Sequence, residues 1–237
     1  MKPYQQVPIE ECGEPLLAIA FPHVVLTEPP PYQQLGADYQ GKSPYFLRQS
    51  VIEALDKAQA SLAQRYPGWK ILIFDAYRPV QVQQFMVDYT FQGLLDQQGL
   101  SAENLSPKER EDLWQQVYKI WAVPSYDLAT PPPHSTGAAL DITLLDGSGN
   151  PVNMGGEIDD LADWSDPNFY RDRPDAQSQM FHYHRELLRE VMESAGFLRH
   201  LGEWWHFSLG DQMWAWLFNQ RCAQDSAYPA IARYGRI

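Results

Sequence analysis

Apolar residues recur at helical spacing in several stretches of the chain, and these stretches predict helices. The clearest one starts at Ser43-Pro44, an N-cap followed by a first-turn proline, and ends at Pro67-Gly68. One face of this predicted helix carries Leu47, Val51, Leu55, Ala58, Leu62 and Tyr66. Further helices are predicted from Pro79 to Tyr89, from the capping box at Ser106 to about Trp121, from Met180 to Ser194, and from Asp211 through Phe218.

Short apolar runs between these stretches predict strands. Residues 69–74 and 138–145 are rich in branched and aromatic side chains, so both are expected to be buried strands. Residues 21–27 and 203–209 predict shorter ones. The mixture predicts an α+β fold, a single domain over residues 1–237 in which a small antiparallel sheet carries the functional site between flanking helices.

Two segments break this periodicity. Residues 1–43 are rich in proline, glutamine and tyrosine, and predict an irregular N-terminal segment. Residues 146–177 predict a long acidic loop insertion with 8 acidic and 2 basic residues, so that −6 of the formal charge of −12 lies there. A loop of this length in a compact domain is usually functional or mobile.

Composition narrows the classes of function. The 30 acidic residues outnumber the 18 basic residues, and the sequence shows no basic patch. Both observations argue against nucleic acid and against anionic membranes as partners. No apolar run approaches the roughly 18–20 residues that span a bilayer. The N-terminus lacks the pattern of a signal peptide, which predicts a cytoplasmic location. Two cysteines do not make a disulfide scaffold, and nothing in the sequence indicates the oligomeric state.

Three short segments carry candidate chemistry: residues 75–79, 133–141 and 202–206. Two histidines and one carboxylate form a common catalytic zinc set, which leaves a fourth position open for water. Asp141 interrupts an apolar run, and a buried carboxylate needs a partner such as a metal. Glu203 lies three residues before His206, where it could act as a base that does not bind the metal.

Strand geometry restricts how these residues can meet. Residues seven or three apart on a regular strand point to opposite faces of the sheet. We therefore expect His134 to lie in the proline-rich loop, with Gly137 allowing the turn into the strand that carries Asp141. Glu203 and His206 likewise need a bulge, a turn or a strand end between them.

These segments resemble the zinc D-alanyl-D-alanine dipeptidases, a family that includes the vancomycin-resistance dipeptidase. The family pattern His-x-x-Gly-x-Ala-x-Asp matches residues 134–141, and Glu-x-Trp-His matches residues 203–206. The upstream Tyr-Arg-Pro matches residues 77–79, and a Met-Gly segment matches residues 154–155 more weakly. The resemblance covers roughly residues 39–209, with the motifs in the family's order.

The resemblance implies a role for each matched residue and a dipeptide, most simply D-alanyl-D-alanine, as the substrate. One zinc ion per chain would be held by His134, Asp141 and His206. Glu203 would be the general base for attack by a water on the metal and later the general acid, and Arg78 would stabilise the oxyanion. Asp159 would receive the substrate's ammonium group, and Tyr45 would line the pocket.

One departure concerns the substrate's carboxylate. The family often has Ser-Ser before its first zinc histidine, where this chain has Pro132-Pro133. Proline supplies neither a hydroxyl nor a backbone N–H. Groups that could hold the carboxylate are therefore missing at these positions, whereas the hydrolytic residues are all present.

Other functions stay open at this point. A metallo-D,D- or L,D-carboxypeptidase acting on peptidoglycan stem peptides would use the same zinc set, and a non-catalytic binding module could keep a structural zinc. Glu203 and Arg78 argue against the module, because a structural site needs neither. A serine hydrolase using Ser135 or Ser208 would lack the usual nucleophile elbow. For Arg78 the alternative role is a salt bridge with Asp75.

Overall fold

The computed structural model describes residues 2–222 and 229–237. Met1 and residues 223–228, which the predicted 1–237 domain includes, lie outside the described residues. The single-domain organisation stays a prediction. Within the described ranges, no helix is both long and apolar enough to cross a membrane.

The longer helices follow the predicted order along the chain, whereas one short helix lies within residues 1–43, which were predicted to be irregular. The helices are α1 Pro31–Gln34, α2 Gln49–Arg65, α3 Val80–Gln98, α4 Pro107–Val117, α5 Ala176–Ser194 and α6 Gln212–Cys222, with 3-10 turns at Pro3–Gln6, Ala102–Asn104, Pro133–Thr136 and Asp163–Ser165. The capping box before α4 is present as predicted, because the Ser106 hydroxyl accepts from the Glu109 N–H and the Glu109 carboxylate accepts from the Ser106 N–H. Helix α3 is longer than predicted and ends where Gly99 adopts a left-handed conformation, with φ +64°.

The strands form two sheets. They are β1 Leu16–Ala18, β2 Val25–Leu26, β3 Phe46–Arg48, β4 Lys70–Asp75, β5 Ala139–Leu145, β6 Leu198–Arg199 and β7 His206–Ser208. The larger sheet has the order β2-β4-β5-β7-β6, parallel between β2 and β4 and antiparallel elsewhere, and β1 pairs with β3 in a small antiparallel sheet. The α+β fold class is confirmed.

The first long helix begins later than the sequence predicts. Residues 46–48 form strand β3, which pairs with Leu16–Ala18, and the helix starts only at Gln49. Leu47 therefore belongs to a strand, although its spacing fits the helical pattern of the residues that follow. Pairing with a segment about 30 residues upstream overrides the local periodicity.

The main core lies between one face of the larger sheet and helices α2 and α5. Alternate residues of the central strands supply this core: Ile71, Ile73, Leu140, Ile142, Leu144 and Phe207. Asp141 and His206 alternate with them and so point to the opposite face of the sheet. A second apolar cluster, which includes Tyr32 and Trp121, packs around α3 and α4.

Candidate metal centre and active-site cleft

His134 lies in a tight turn immediately before the central strand. Pro133–Thr136 forms one 3-10 turn, and Gly137 ends it with φ +71°, a left-handed conformation that favours glycine. Strand β5 then starts at Ala139 and places Asp141 in its third position. The predicted arrangement, a histidine in the proline-rich loop and an aspartate on the strand, is confirmed.

Strand pairing brings the second histidine to the same place. Asp141 on β5 lies directly opposite His206 on β7, so the two side chains share one face of the sheet. On the other side of β5, a register shift between Ile73 and Asp75 brings Asp75 opposite Asp141. Such irregularities re-aim a side chain, and here the result is a row of three titratable groups across three strands. Strand β7 starts only at His206, later than the predicted 203–209, so that a strand end, one of the three predicted alternatives, separates Glu203 from His206.

The three predicted metal ligands converge. The His134 Nε2 atom lies 3.2 Å from Asp141 Oδ2 and 3.1 Å from His206 Nδ1, and His206 Nδ1 lies 3.0 Å from Asp141 Oδ1. All three residues are buried. Ligand atoms around a tetrahedral zinc ion are separated by about 3.3 Å, given bonds of about 2.05 Å. These residues could therefore hold a metal ion, and their two nitrogens and one oxygen suit zinc.

Outer contacts orient each of these side chains. His134 Nδ1 lies 2.7 Å from the carbonyl oxygen of Ala76, and His206 Nε2 lies 3.4 Å from the Ser208 hydroxyl. The Ser208 hydroxyl donates to Asp211, so its oxygen is the acceptor for an N–H on His206 Nε2. These contacts leave His134 Nε2 and His206 Nδ1 as the unprotonated nitrogens that a metal requires.

The charge states agree with this arrangement. Burial opposes ionisation of Asp141, but the charges and hydrogen bonds of the two histidines hold the pKa of its carboxyl well below the usual range. Burial lowers the pKa of His206, which favours the neutral ring. A carboxylate and neutral imidazole are the forms that bind a metal ion.

Arg78 is enclosed by polar partners. Its Nε donates to Asp75 Oδ2 at 2.9 Å, its Nη1 to Gln83 Oε1 at 3.0 Å, and its Nη2 lies 3.0 Å from both Asp141 Oδ2 and the Tyr32 hydroxyl. The salt bridge with Asp75 is thus present, and Arg78 also faces the cleft. Burial opposes its charge, but Tyr32 and the acidic neighbours raise the pKa of the guanidinium well above its ordinary value.

Glu203 lies in the same cleft as the three candidate ligands. Its side chain is nearly buried, and Oε1 lies 3.2 Å from His200 Nδ1. Burial raises the pKa of this carboxyl well above its ordinary value, and the charge of Asp141 adds to the shift. A carboxylate with a raised pKa is suited to taking up and returning a proton.

The acidic loop reaches the cleft through Asp159, which lines it. Asp159 adopts a left-handed backbone with φ +68°, unusual for a residue other than glycine, and accepts a hydrogen bond of 2.8 Å from the Tyr32 hydroxyl. The buried Arg185 on α5 fixes the loop by donating to the carbonyl oxygens of Met154 and Asp166, at 2.7 and 2.9 Å. This loop is therefore packed against α5 and holds a carboxylate in the cleft.

The structure does not bring Tyr45 to the cleft. Tyr45 is buried in the main core, and its hydroxyl donates to the carbonyl oxygen of Thr27. A different tyrosine, Tyr32, contacts two of the candidate site residues, because its hydroxyl lies between Arg78 and Asp159. Tyr32 belongs to the segment predicted to be irregular, and its sequence surroundings carry no signal that would have identified it.

Known proteins resemble this chain over most of its length. Residues 26–226 match the peptidase M15 family, which is described as D-Ala-D-Ala dipeptidase. The chain belongs to this family. A D-alanyl-D-alanine dipeptidase of Synechocystis sp. is 54% identical over 243 residues, which cover 100% of this chain and 97% of that protein. A second relative with the same name, from Escherichia coli, is 32% identical over 69% of this chain and 66% of its own length.

Two solved structures are more distant from this M15 peptidase. An LD-carboxypeptidase structure described as revealing the molecular basis of peptidoglycan recognition has a TM-score of 0.44 and 14% identity, over 90% of this chain and 75% of that one. A structure of a vancomycin resistance D,D-pentapeptidase in complex with Zn(II) has a TM-score of 0.42 and 16% identity, over 78% of this chain and 85% of that one.

Proposed function

We propose that the protein is a zinc-dependent dipeptidase that hydrolyses the amide bond of D-alanyl-D-alanine, with one zinc ion per chain. The convergence of His134, Asp141 and His206 beside the buried carboxylate of Glu203 is the observation that carries the proposal. Identity of 54% to a full-length D-alanyl-D-alanine dipeptidase supports the same substrate. A cytoplasmic location stays a prediction.

The proton transfers are assigned to Glu203. When bound, zinc would supply a Lewis acid that lowers the pKa of water toward about 7 and polarises the scissile carbonyl. Glu203 would take the proton from the attacking water and later deliver it to the leaving amine. Its raised pKa favours the protonated form that the second step needs.

Two roles are assigned to Arg78. Its guanidinium would stabilise negative charge as it develops on the carbonyl oxygen. Its bond to Asp141 Oδ2 would at the same time orient the metal-binding carboxylate. Because Asp75, Gln83 and Tyr32 fix the same guanidinium, its position is set before the substrate binds.

Asp159 would bind the ammonium group of the dipeptide. The carboxylate lines the cleft that also contains Glu203. The Tyr32 hydroxyl holds one of its oxygens and leaves the other for the substrate. An enzyme that uses this contact requires a free amino group, whereas a carboxypeptidase acting on long stem peptides does not.

Hydrolysis of a peptide panel by the zinc-loaded protein tests the proposal. We expect cleavage of D-alanyl-D-alanine, and little or none of its N-acetylated form or of L,L-dipeptides. Glu203→Gln should retain zinc, measured by elemental analysis, and its kcat should be about 10²–10⁴-fold lower. Glu103→Gln, at an exposed carboxylate, is the matched control.

The other functions give different results in the same panel. Equal cleavage of acetylated and longer peptides would establish a carboxypeptidase instead. Zinc binding without cleavage of any peptide would favour the non-catalytic binding module. An active Glu203→Gln enzyme would overturn the assignment of the base.

A further inference from the structure

The N-terminal 3-10 turn, Pro3–Gln6, forms part of the wall of the cleft. Lys2 and Tyr4 line the cleft together with Arg78, Glu203 and the three candidate metal ligands. The region that matches the family begins only at residue 26, so this wall lies outside it. Nothing in the motifs assigns a role to either residue.

Several contacts fix the turn against the rest of the protein. Tyr4 is only 3% exposed and packs in an apolar cluster with Leu198, Met213 and Leu217. The side-chain amide of Gln212, at the start of α6, donates to the carbonyl oxygen of Val7 at 2.7 Å. The turn that follows Lys2 is therefore fixed by the packing of Tyr4 within it and by the hydrogen bond to Val7 directly after it.

The balance of charge in the cleft makes Lys2 distinctive. Three carboxylates line the cleft, those of Asp141, Asp159 and Glu203. The basic side chains of lysine or arginine that line it are those of Lys2 and Arg78. The guanidinium of Arg78 is already bonded to four protein groups. Within residues 2–222 and 229–237, by contrast, the Lys2 ammonium has no hydrogen-bond acceptor and no ion pair within 4.0 Å.

The proposed substrate supplies a matching anion. A free dipeptide ends in a carboxylate, which needs hydrogen-bond donors or a cation when it leaves water. Pro133 lines the cleft, and neither it nor Pro132 has an N–H or a hydroxyl to offer. A lysine ammonium on a flexible stem supplies both the positive charge and three donors.

We propose that Lys2 binds the C-terminal carboxylate of the dipeptide substrate, an inference that rests on the proposed function. Lys2 and Asp159 would then select a short substrate with both ends free, since one binds its carboxylate and the other its ammonium group. Burial lowers the pKa of Lys2, and the Glu203 carboxylate opposes that shift.

A pair of substrates that differ only in the terminal carboxylate tests this inference. Steady-state kinetics would be measured with D-alanyl-D-alanine and with its C-terminal amide, for the zinc-loaded wild type and for Lys2→Met. Loss of a charged hydrogen bond predicts a KM for the free acid raised about 10- to 100-fold, with kcat nearly unchanged. The KM for the C-terminal amide should change less than about 2-fold, because the amide carries no negative charge for Lys2 to bind.

Two further variants serve as controls. Lys2→Arg keeps the positive charge and should restore most of the preference for the free acid. Lys57→Met removes an equal charge from an exposed position on α2 and should leave the KM and kcat for both substrates unchanged. Thermal unfolding of each variant separates a specific effect from loss of the fold.

The remaining outcomes overturn the inference in distinguishable ways. If the wild type cleaves D-alanyl-D-alanine and Lys2→Met keeps the same preference for the free acid, Lys2 is not the carboxylate site although the proposed function stands. An equal effect of Lys2→Met on both substrates would also overturn it, because the charge would then act on Glu203 and not on the carboxylate. If the wild type cleaves no dipeptide, the proposed function and this inference both fail.

Discussion

The site is built from two kinds of segment. What we call the strand side consists of the central strands and the turns at their ends, where cross-strand pairing fixes Asp141 against His206. What we call the loop side consists of three segments that are distant in sequence: the turn next to Lys2, helix α1 with Tyr32, whose hydroxyl contacts Arg78 and Asp159, and the acidic loop with Asp159. The strand side holds the groups proposed for the reaction, and the loop side holds the groups proposed to recognise the ends of the substrate.

This difference separates catalysis from selectivity. A group held by strand register has few ways to move, which suits residues that must keep sub-ångström geometry. Groups on loops and terminal segments can change without disturbing the sheet, and they suit the discrimination of substrates. Substitutions on the strand side should therefore lower kcat, whereas substitutions on the loop side should raise KM.

The largest effect is expected at the central strand, from Asp141→Asn. The amide is a poorer metal ligand, and the buried Arg78 loses one of its two carboxylate partners. We expect zinc affinity to fall more than about 100-fold, beyond the 10–100-fold typical of losing an outer contact, and activity to fall with it. Competition with a chelator measures the affinity, and Asp112→Asn on the exposed face of α4 is the control. Full zinc content in Asp141→Asn would contradict the assigned ligand set.

A smaller but still large effect is expected from Arg78→Lys. The charge is kept, but one ammonium group cannot reach the four acceptors that the planar guanidinium contacts. We expect kcat to fall about 10²–10³-fold with little change in KM, together with a lower unfolding temperature because the buried Asp75 loses its hydrogen bond from the guanidinium. An unchanged kcat with reduced stability would show that the role of Arg78 is structural only. Arg110→Lys on the surface of α4 is the matched control.

The smallest effect is expected on the loop side, from Asp159→Asn. Loss of the ammonium contact should raise KM for D-alanyl-D-alanine about 10-fold and leave kcat nearly unchanged. Burial raises the pKa of Asp159 to about 7, so its carboxylate is increasingly ionised as pH rises through that value. The difference in KM between wild type and variant should consequently widen from about pH 6 to about pH 7, below the ordinary pKa of the substrate's amino group. A difference that is constant or narrows over this range would exclude an ionised Asp159 as the ammonium site.

The same division explains how much the sequence could predict. His134, Asp141, Glu203 and His206 lie within two short motifs. Alternation along a strand was enough to predict the turn after His134, and it required a bulge, a turn or a strand end between Glu203 and His206. The pairing of Asp141 with His206 then follows from the antiparallel sheet. Local physical rules were sufficient here because most of the relevant distances along the chain are short.

The other side could not be predicted in this way. Lys2 reaches the cleft, and Tyr32 reaches Arg78 and Asp159, through the packing of segments far apart in sequence, and no periodicity marks either residue. Tyr45 was expected at the pocket, yet it is buried in the main core. Strand β3 was missed for a similar reason, since its partner lies near the N-terminus and the local pattern resembles the helix that follows.

The central position of Asp141 has a consequence for how this enzyme can vary in length. Because β5 is paired on both edges, inserting or deleting one residue within Ala139–Leu145 would turn the aspartate from the cleft into the apolar core. The loop that follows the strand has no such restriction along most of residues 146–177. Changes in length should therefore accumulate in that loop, where they would reshape the entrance for new substrates while the reaction itself stays the same.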